Sequence, residues 1–168
     1  MGSSAWAPPL RMTIGIRDAQ LADLETVVAI ERLSFPDPWS ASMFRAHLRD
    51  PVYTFLIAEQ KNAILGFAIA QVVLTDAELL NISIHPQSRG HGIGTTLLHT
   101  LLARCTAQGA ESMTLEVRQS NAAALTLYLN HGFTRAGRRR RYYHEPEEDG
   151  LILRATLPVL TGSPSTSQ

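Results

Sequence analysis

The chain has 168 residues, 15 basic against 15 acidic, and 45% hydrophobic residues. That length gives one ordinary domain, able to bury about two-thirds of its extended-chain surface. Balanced charge leaves no field to draw the whole molecule onto nucleic acid or a membrane, and a single cysteine, Cys105, excludes an internal disulfide.

Residues 1–12 are small, proline-containing and patternless, and read as a disordered leader. They hold no apolar signal segment, and no run reaches transmembrane length, so the expected location is cytoplasmic. Ile14 to Arg17 reads as a short strand. Leu21 to Leu33 follows as a helix opening near Asp23, with Leu24, Val27 and Val28 at inward spacing. Phe35-Pro36-Asp37-Pro38-Trp39 cannot be helical through its prolines and carries two large aromatics. Ser40 stands as the N-cap of a second helix that ends near Asp50-Pro51. Tyr53 to Glu59 and Ile64 to Leu74 are spaced as a hairpin about Lys61-Asn62.

The stretch Leu79 to Leu102 is the most informative. Its start alternates, with Leu80, Ile82 and Ile84 on one face and Asn81, Ser83 and His85 on the other, and Pro86 ends the strand. From Thr95 the period becomes helical, through Leu97, Leu98, Leu101, Leu102 and Cys105. Between them lies Arg89-Gly90-His91-Gly92-Ile93-Gly94. Glycines let backbone N–H groups approach a ligand, and a helix start adds orphan donors and a positive dipole end. Such a junction suits phosphate. Walker A fails for want of a Lys-Ser/Thr pair after Gly94, and the dinucleotide fingerprint fails because Thr95 stands where its third glycine belongs. What remains is R-x-x-G-x-G, met by Arg89, Gly92 and Gly94, or a glycine-rich turn without a ligand.

Gly109 terminates that helix, and Met113 to Arg118 reads as a strand with Met113, Leu115 and Val117 opposite Thr114, Glu116 and Arg118. Ser120 or Asn121 caps a further helix striped by Ala124, Leu125, Tyr128 and Leu129, and Gly132 closes it. Phe133 to Tyr143 and Leu151 to Leu157 form a last strand pair around an acidic, proline-containing loop. The arginines at 138–141 would split between two strand faces beside the acidic run Glu145–Asp149, so local pairing is expected rather than nucleic-acid binding. No His/Cys cluster has metal-ligand spacing, so no metal is expected. Residues 159–168 read as a disordered tail, which leaves one mixed α/β domain over 13–158.

Several motifs, in order, carry a resemblance to a known family. They are Phe35-Pro36 with Pro38-Trp39-Ser40, Gln71 to Leu74, Asn81 to Ile84, the R-x-x-G-x-G loop, Leu115 to Arg118 with Ser120 to Ala124, Leu127-Tyr128 with Gly132-Phe133, and Arg141-Tyr142-Tyr143. The chain resembles the GCN5-related N-acetyltransferase (GNAT) superfamily over about residues 13–158. Within it, the resemblance is to bacterial enzymes that acetylate the N-terminal alanine of a ribosomal protein. Asp37, an extra residue in the proline-tryptophan element, the arginine run and the tails depart from the pattern.

The resemblance implies a central, mostly antiparallel sheet with helices on both faces, and acetyl-CoA as cosubstrate. It assigns the pantetheine arm to the main chain of Ile82, Ser83 and Ile84, and the pyrophosphate to Arg89, Gly90, His91, Gly92, Ile93, Gly94 and Thr95. Asn121 would contact the cofactor, cap its helix, or both; His91 would touch phosphate or merely solvent. Glu116 would be the general base, against a reading in which it is paired with Arg118 or another arginine. Tyr128 would protonate the leaving thiolate, against a reading as an amphipathic core residue. Phe35 and Trp39, with Tyr142 and Tyr143, would flank the peptide. The implied partner is a protein with a free N-terminal alanine, ribosomal by resemblance, and the arginines at 138–141 are expected to favour acidic or polar residues after it. Two alternatives stand: a GNAT enzyme acting on lysine or a small amine, and a non-catalytic acyl-CoA-binding adaptor.

Overall fold

Phe55-Leu56-Ile57-Ala58 and Phe67-Ala68-Ile69-Ala70 are apolar at every position, the mark of strands covered on both faces. They lie at the centre of β2 (Tyr53–Gln60) and β3 (Ala63–Val73). The computed structural model describes residues 13–159; the leader expected over 1–12, and the expected tail past Val159, lie outside the described residues. Val159 itself, assigned to that tail from sequence, packs against the core.

The remaining elements are β1 (Gly15–Asp18), α1 (Leu24–Ser34), α2 (Ala41–Arg49), β4 (Asp76–Ile84), α3 (Ile93–Ala107), β5 (Ser112–Arg118), α4 (Ala122–Leu129), β6 (Thr134–His144) and β7 (Glu147–Thr156). They build a seven-stranded sheet in the order β1-β2-β3-β4-β5-β7-β6. Every neighbouring pair is antiparallel except β4 and β5, which the α3 crossover makes parallel. The expected mostly antiparallel sheet with helices on both faces is what the chain forms. No helix among the described residues is long and apolar enough to cross a membrane.

Alternation divides the core. Phe55, Ile57, Phe67 and Ile69 face α1 and α2, where Phe44 meets Phe67 edge-on at 5.4 Å. Leu56, Ala58, Ala68 and Ala70 face the other way, onto the α3 stripe Ile93, Leu97, Leu98, Leu101, Leu102 and Cys105. Alanines on that side let the helix lie close to the sheet, and each leucine buried there contributes about 1.5–3 kcal/mol. Local signals set the boundaries. Ser40 Oγ accepts from Met43 N at 3.2 Å, Lys61 and Asn62 make the β2–β3 turn with φ of 50° and 64°, and Gly109 ends α3 with φ +96°.

One boundary differs from expectation. The acidic run is not a loop: β7 begins at Glu147, with Glu147 opposite His144 and Glu148 opposite Tyr143, and the side chains of Asp149 and Glu147 pair with Arg138 and Arg141. The ladder shifts register between Arg139 and Tyr143, and Arg141 takes φ 51°. All four arginines are exposed, as is nearly all of the edge strand β6, and three of them pair locally: Arg138 with Asp149, Arg139 with Glu116 and Arg141 with Glu147.

Candidate active site

The parallel pair β4–β5 is in register only from Asp76 opposite Ser112 to Leu79 opposite Leu115. Beyond that, β4 continues along β3 to Ile84 and β5 along β7 to Arg118. Two main-chain edges, residues 80–84 and 116–118, are left facing a gap. A bulge accompanies the parting: Ile69 pairs with Asn81 and Ala70 with Leu79, so Leu80 is the extra residue. This corrects the alternation read from sequence, because Leu80 packs in the α1–α2 layer while Ile82 and Ile84 pack toward α3. Gly66 permits the close β3 approach here, since a Cβ would meet Ser83 O at 2.7 Å.

Around the gap runs a cleft of about 910 Å³, which Ile82, Ser83, Ile84, Glu116, Asn121 and Tyr128 all line. At one end lies the glycine turn. Gly90 and Gly92 take φ of +80° and +78°, and Gly92 is the N-cap of α3 without a side-chain cap, leaving first-turn N–H groups unclaimed. A Cβ on either glycine would meet nothing within 4 Å, so the space over the turn is open. Gly90, Gly92, Ile93, Gly94 and Thr95 line the cleft; His91 is exposed and does not. Arg89 lines it, but its guanidinium donates to Ile84 O at 3.1 Å and Ser34 Oγ at 3.2 Å, tying the turn to β4 and α1. Asn121 caps α4, its Oδ1 accepting from Ala124 N at 3.1 Å, and lines the cleft as well.

Glu116 and Tyr128 reach the cleft from opposite faces of the sheet. Tyr128 belongs to the α3-side core and is buried at 5% exposure, and no side-chain hydrogen-bond partner holds its hydroxyl among the described residues. Burial, reinforced by Tyr143, drives its phenol pKa well up, so it holds its proton throughout the neutral range. Glu116 points away from Leu115 and Val117, on the face that α1 and α2 leave open beyond β4. Its carboxylate takes an ion pair at 2.8 Å from Arg139, not from Arg118. Tyr142 is held above its ordinary pKa first by hydrogen bonding to Glu116 and then by burial.

Of the four flanking aromatics, Phe35, Trp39 and Tyr143 line the cleft, whereas Tyr142 is exposed outside it. Burial first, then the Glu116 charge, pushes the Tyr143 phenol up to about 12. Trp39 stacks on His47 at 4.9 Å, and its backbone N–H donates to Glu31 Oε1 at 3.2 Å. Glu31 was missed in the sequence. It is 1% exposed, lines the cleft, and takes Asn81 Nδ2 on its other oxygen at 2.9 Å, so one carboxylate joins the bulge to the aromatic loop. Burial raises its pKa. The signal was available: Glu31 falls four after Val27 and three after Val28, on the inward stripe where a carboxylate needs a reason.

Known proteins resemble this chain in sequence and in fold. The model of the acetyltransferase (GNAT) family matches residues 24–133. A ribosomal protein bS18-alanine N-acetyltransferase of Escherichia coli (strain K12) is 36% identical over 146 residues, covering 86% of this chain and 97% of that protein. An N-alpha-acetyltransferase of Sulfurisphaera tokodaii is 30% identical over 155 residues, covering 84% and 92%. Among solved structures, the ribosomal-protein-S18-alanine N-acetyltransferase from Escherichia coli superposes with a TM-score of 0.80 at 32% identity, over 93% of this chain and all of that one. Arabidopsis thaliana NAA60 in complex with acetyl-CoA, at 19% identity and TM-score 0.79 over 86% of this chain and 100% of its own, shares the fold. With a family match from α1 to the start of β6 and relatives alike along nearly their whole length, this chain belongs to the acetyltransferase (GNAT) family.

Proposed function

We propose that this protein moves the acetyl group of acetyl-CoA onto the N-terminal α-amine of a protein that begins with alanine, a ribosomal protein in the cytoplasm. The observation that carries the reading is the parting of β4 and β5 beyond Leu79 and Leu115, with Glu116 and Tyr128 lining the cleft it opens. The unpaired edge at Ile82–Ile84 supplies donors and acceptors for an amide-bearing pantetheine arm. The uncapped turn at Gly90–Thr95 suits a pyrophosphate.

Four tasks make up the transfer: hold the donor, polarise its carbonyl, deprotonate the amine and protonate the departing thiolate. Main-chain N–H groups of β4 serve the first two. Glu116 takes the amine proton, directly or through water. Tyr128 gives its own to the thiolate: the phenol lines the cleft protonated at neutral pH, and although burial weakens it as an acid, the same burial raises the basicity of a thiolate enclosed beside it. The carboxylate and the phenol come from opposite faces of the sheet, so one can serve the attacking amine and the other the departing thiolate about a single carbonyl carbon.

Basicity favours an α-amine as acceptor. Its pKa of about 7.7–8.0 leaves roughly a third neutral at pH 7.5, against roughly a thousandth of a lysine at about 10.4. One partly exposed carboxylate meets the smaller demand. The relatives' named substrate, the alanine of a ribosomal protein, points the same way. The test is mass spectrometry on a peptide with a free alanine terminus and an internal lysine, beside its N-terminally blocked twin. Acetylation of the free terminus alone is expected; lysine acetylation in both, with the terminus untouched, would overturn the assignment.

A further inference from the structure

Arg118 ends β5 two residues beyond Glu116, with its side chain 15% exposed. Its guanidinium is engaged on every side. Nη1 donates to Pro146 O at 3.0 Å and to Glu148 Oε1 at 3.1 Å, Nη2 donates to Glu145 O at 3.1 Å, and Asp37 Oδ1 lies 3.9 Å from Nη2. The Tyr143 ring lies against its flat face, 4.3 Å from the guanidinium carbon. Two of these partners are the carbonyls of the β6–β7 turn, one is the aromatic of that hairpin facing the cleft, and Asp37 is the inserted residue of the aromatic loop on the opposite wall.

A second tie runs through Glu148. Its oxygens also accept from Ser120 Oγ at 2.9 Å and Ser120 N at 3.1 Å, immediately before the cap of α4. One planar cation thus fixes the hairpin turn, seats Tyr143, reaches the aromatic loop and connects all of them to the helix bearing Tyr128. None of these contacts points to the glycine turn.

We propose that Arg118 is the positioning residue of the amine-substrate side, setting the separation of the two peptide walls and the pose of Tyr143 while leaving the donor site to other residues. The inference rests on the peptide-amine reading above. Its chemistry is specific to a fork: a guanidinium holds two carbonyls, a carboxylate and an aromatic face at once, whereas an ammonium is a point donor. Substrates long enough to lie between the walls should depend on Arg118, and a one-residue amine should not.

Steady-state kinetics on Arg118→Gln and Arg118→Lys, with an alanine-initiated pentapeptide and with alaninamide, tests this. Arg118→Gln should raise KM for the pentapeptide about 10-fold or more and change kcat less than about 3-fold; kcat/KM for alaninamide should stay within about 3-fold. Arg118→Lys should rescue little of the KM loss, and Arg118→Gln should add little to Tyr143→Ala in the double variant. Calorimetric affinity for coenzyme A serves as the control for folding; the lysine variant carries the test if the glutamine variant does not fold. Equal loss on both substrates, full rescue by lysine, or additive losses with Tyr143→Ala would each overturn the role. A wild-type protein that acetylates neither substrate would instead overturn the acetyl-transfer reading, and this role with it.

Discussion

Arg139 Nε meets Glu116 Oε1 at 2.8 Å, so the carboxylate read as the general base is anchored by an arginine from a strand two places away in the sheet. Arg139 is 56% exposed, and such pairs are worth about 0–1 kcal/mol. Arg139→Ala should therefore lower the melting temperature by no more than about 4 °C. Turnover should fall about 3–10-fold, because the carboxylate loses its anchor and not its chemistry. A wild-type rate in the variant would make the pair ornamental to catalysis.

Glu116→Gln keeps the shape and removes the base. At pH 7 most α-amine is protonated and a defect of about 10²-fold is expected; by pH 9 the amine arrives neutral and the defect should shrink to about 10-fold or less. A pH–rate series decides it, and a constant defect across that range would assign Glu116 to positioning.

Tyr128→Phe removes a proton donor and almost no volume. Turnover should fall about 10²–10⁴-fold, with acetyl-CoA affinity by calorimetry nearly unchanged. Stability should hardly move, as the hydroxyl has no hydrogen-bond partner among the described residues to lose. Undiminished turnover would make Tyr128 a core residue only.

Gly92→Glu adds a carboxylate over the open turn and forces a side chain into φ +78°. The backbone strain costs about 1 kcal/mol. Gly92→Ala shares that strain without the charge, so coenzyme A affinity should collapse in the glutamate variant and fall much less in the alanine one. Equal affinities would remove the pyrophosphate from this turn.

Far from the cleft, Arg17 holds Asp23 by two bonds, 2.7 and 2.8 Å, and Gln20 N donates to the same carboxylate at 2.7 Å. The Arg17 bond, ahead of the opposing effect of burial, lowers the Asp23 pKa. A lowered folded pKa means stability present above the unfolded value, near 3.8, and lost as pH falls through the folded one. Urea unfolding should show Arg17→Ala about 1–3 kcal/mol less stable at pH 7, and closer to wild type below pH 3. A difference that persists undiminished at low pH would refute the assignment.

Much of this was legible along the chain because it is local. Ser40, Asn121, Gly109 and the Lys61-Asn62 turn act on neighbours within four residues, and the period of the α3 stripe is a property of one helix. The glycine turn and the opposed faces of β5 are of the same kind. Tertiary structure decided what depends on distant strands. Whether Leu80 shares a face with Ile82 depends on a bulge opposite β3, and whether Glu116 pairs with Arg118 or Arg139 depends on which strand lies beyond β7. Arg118 spans two walls only because β5 ends where the β6–β7 turn folds over it. The gap between β4 and β5 is a matter of register, which no single segment carries: each strand has its own pattern, and the length over which two of them pair is fixed by everything packed against both.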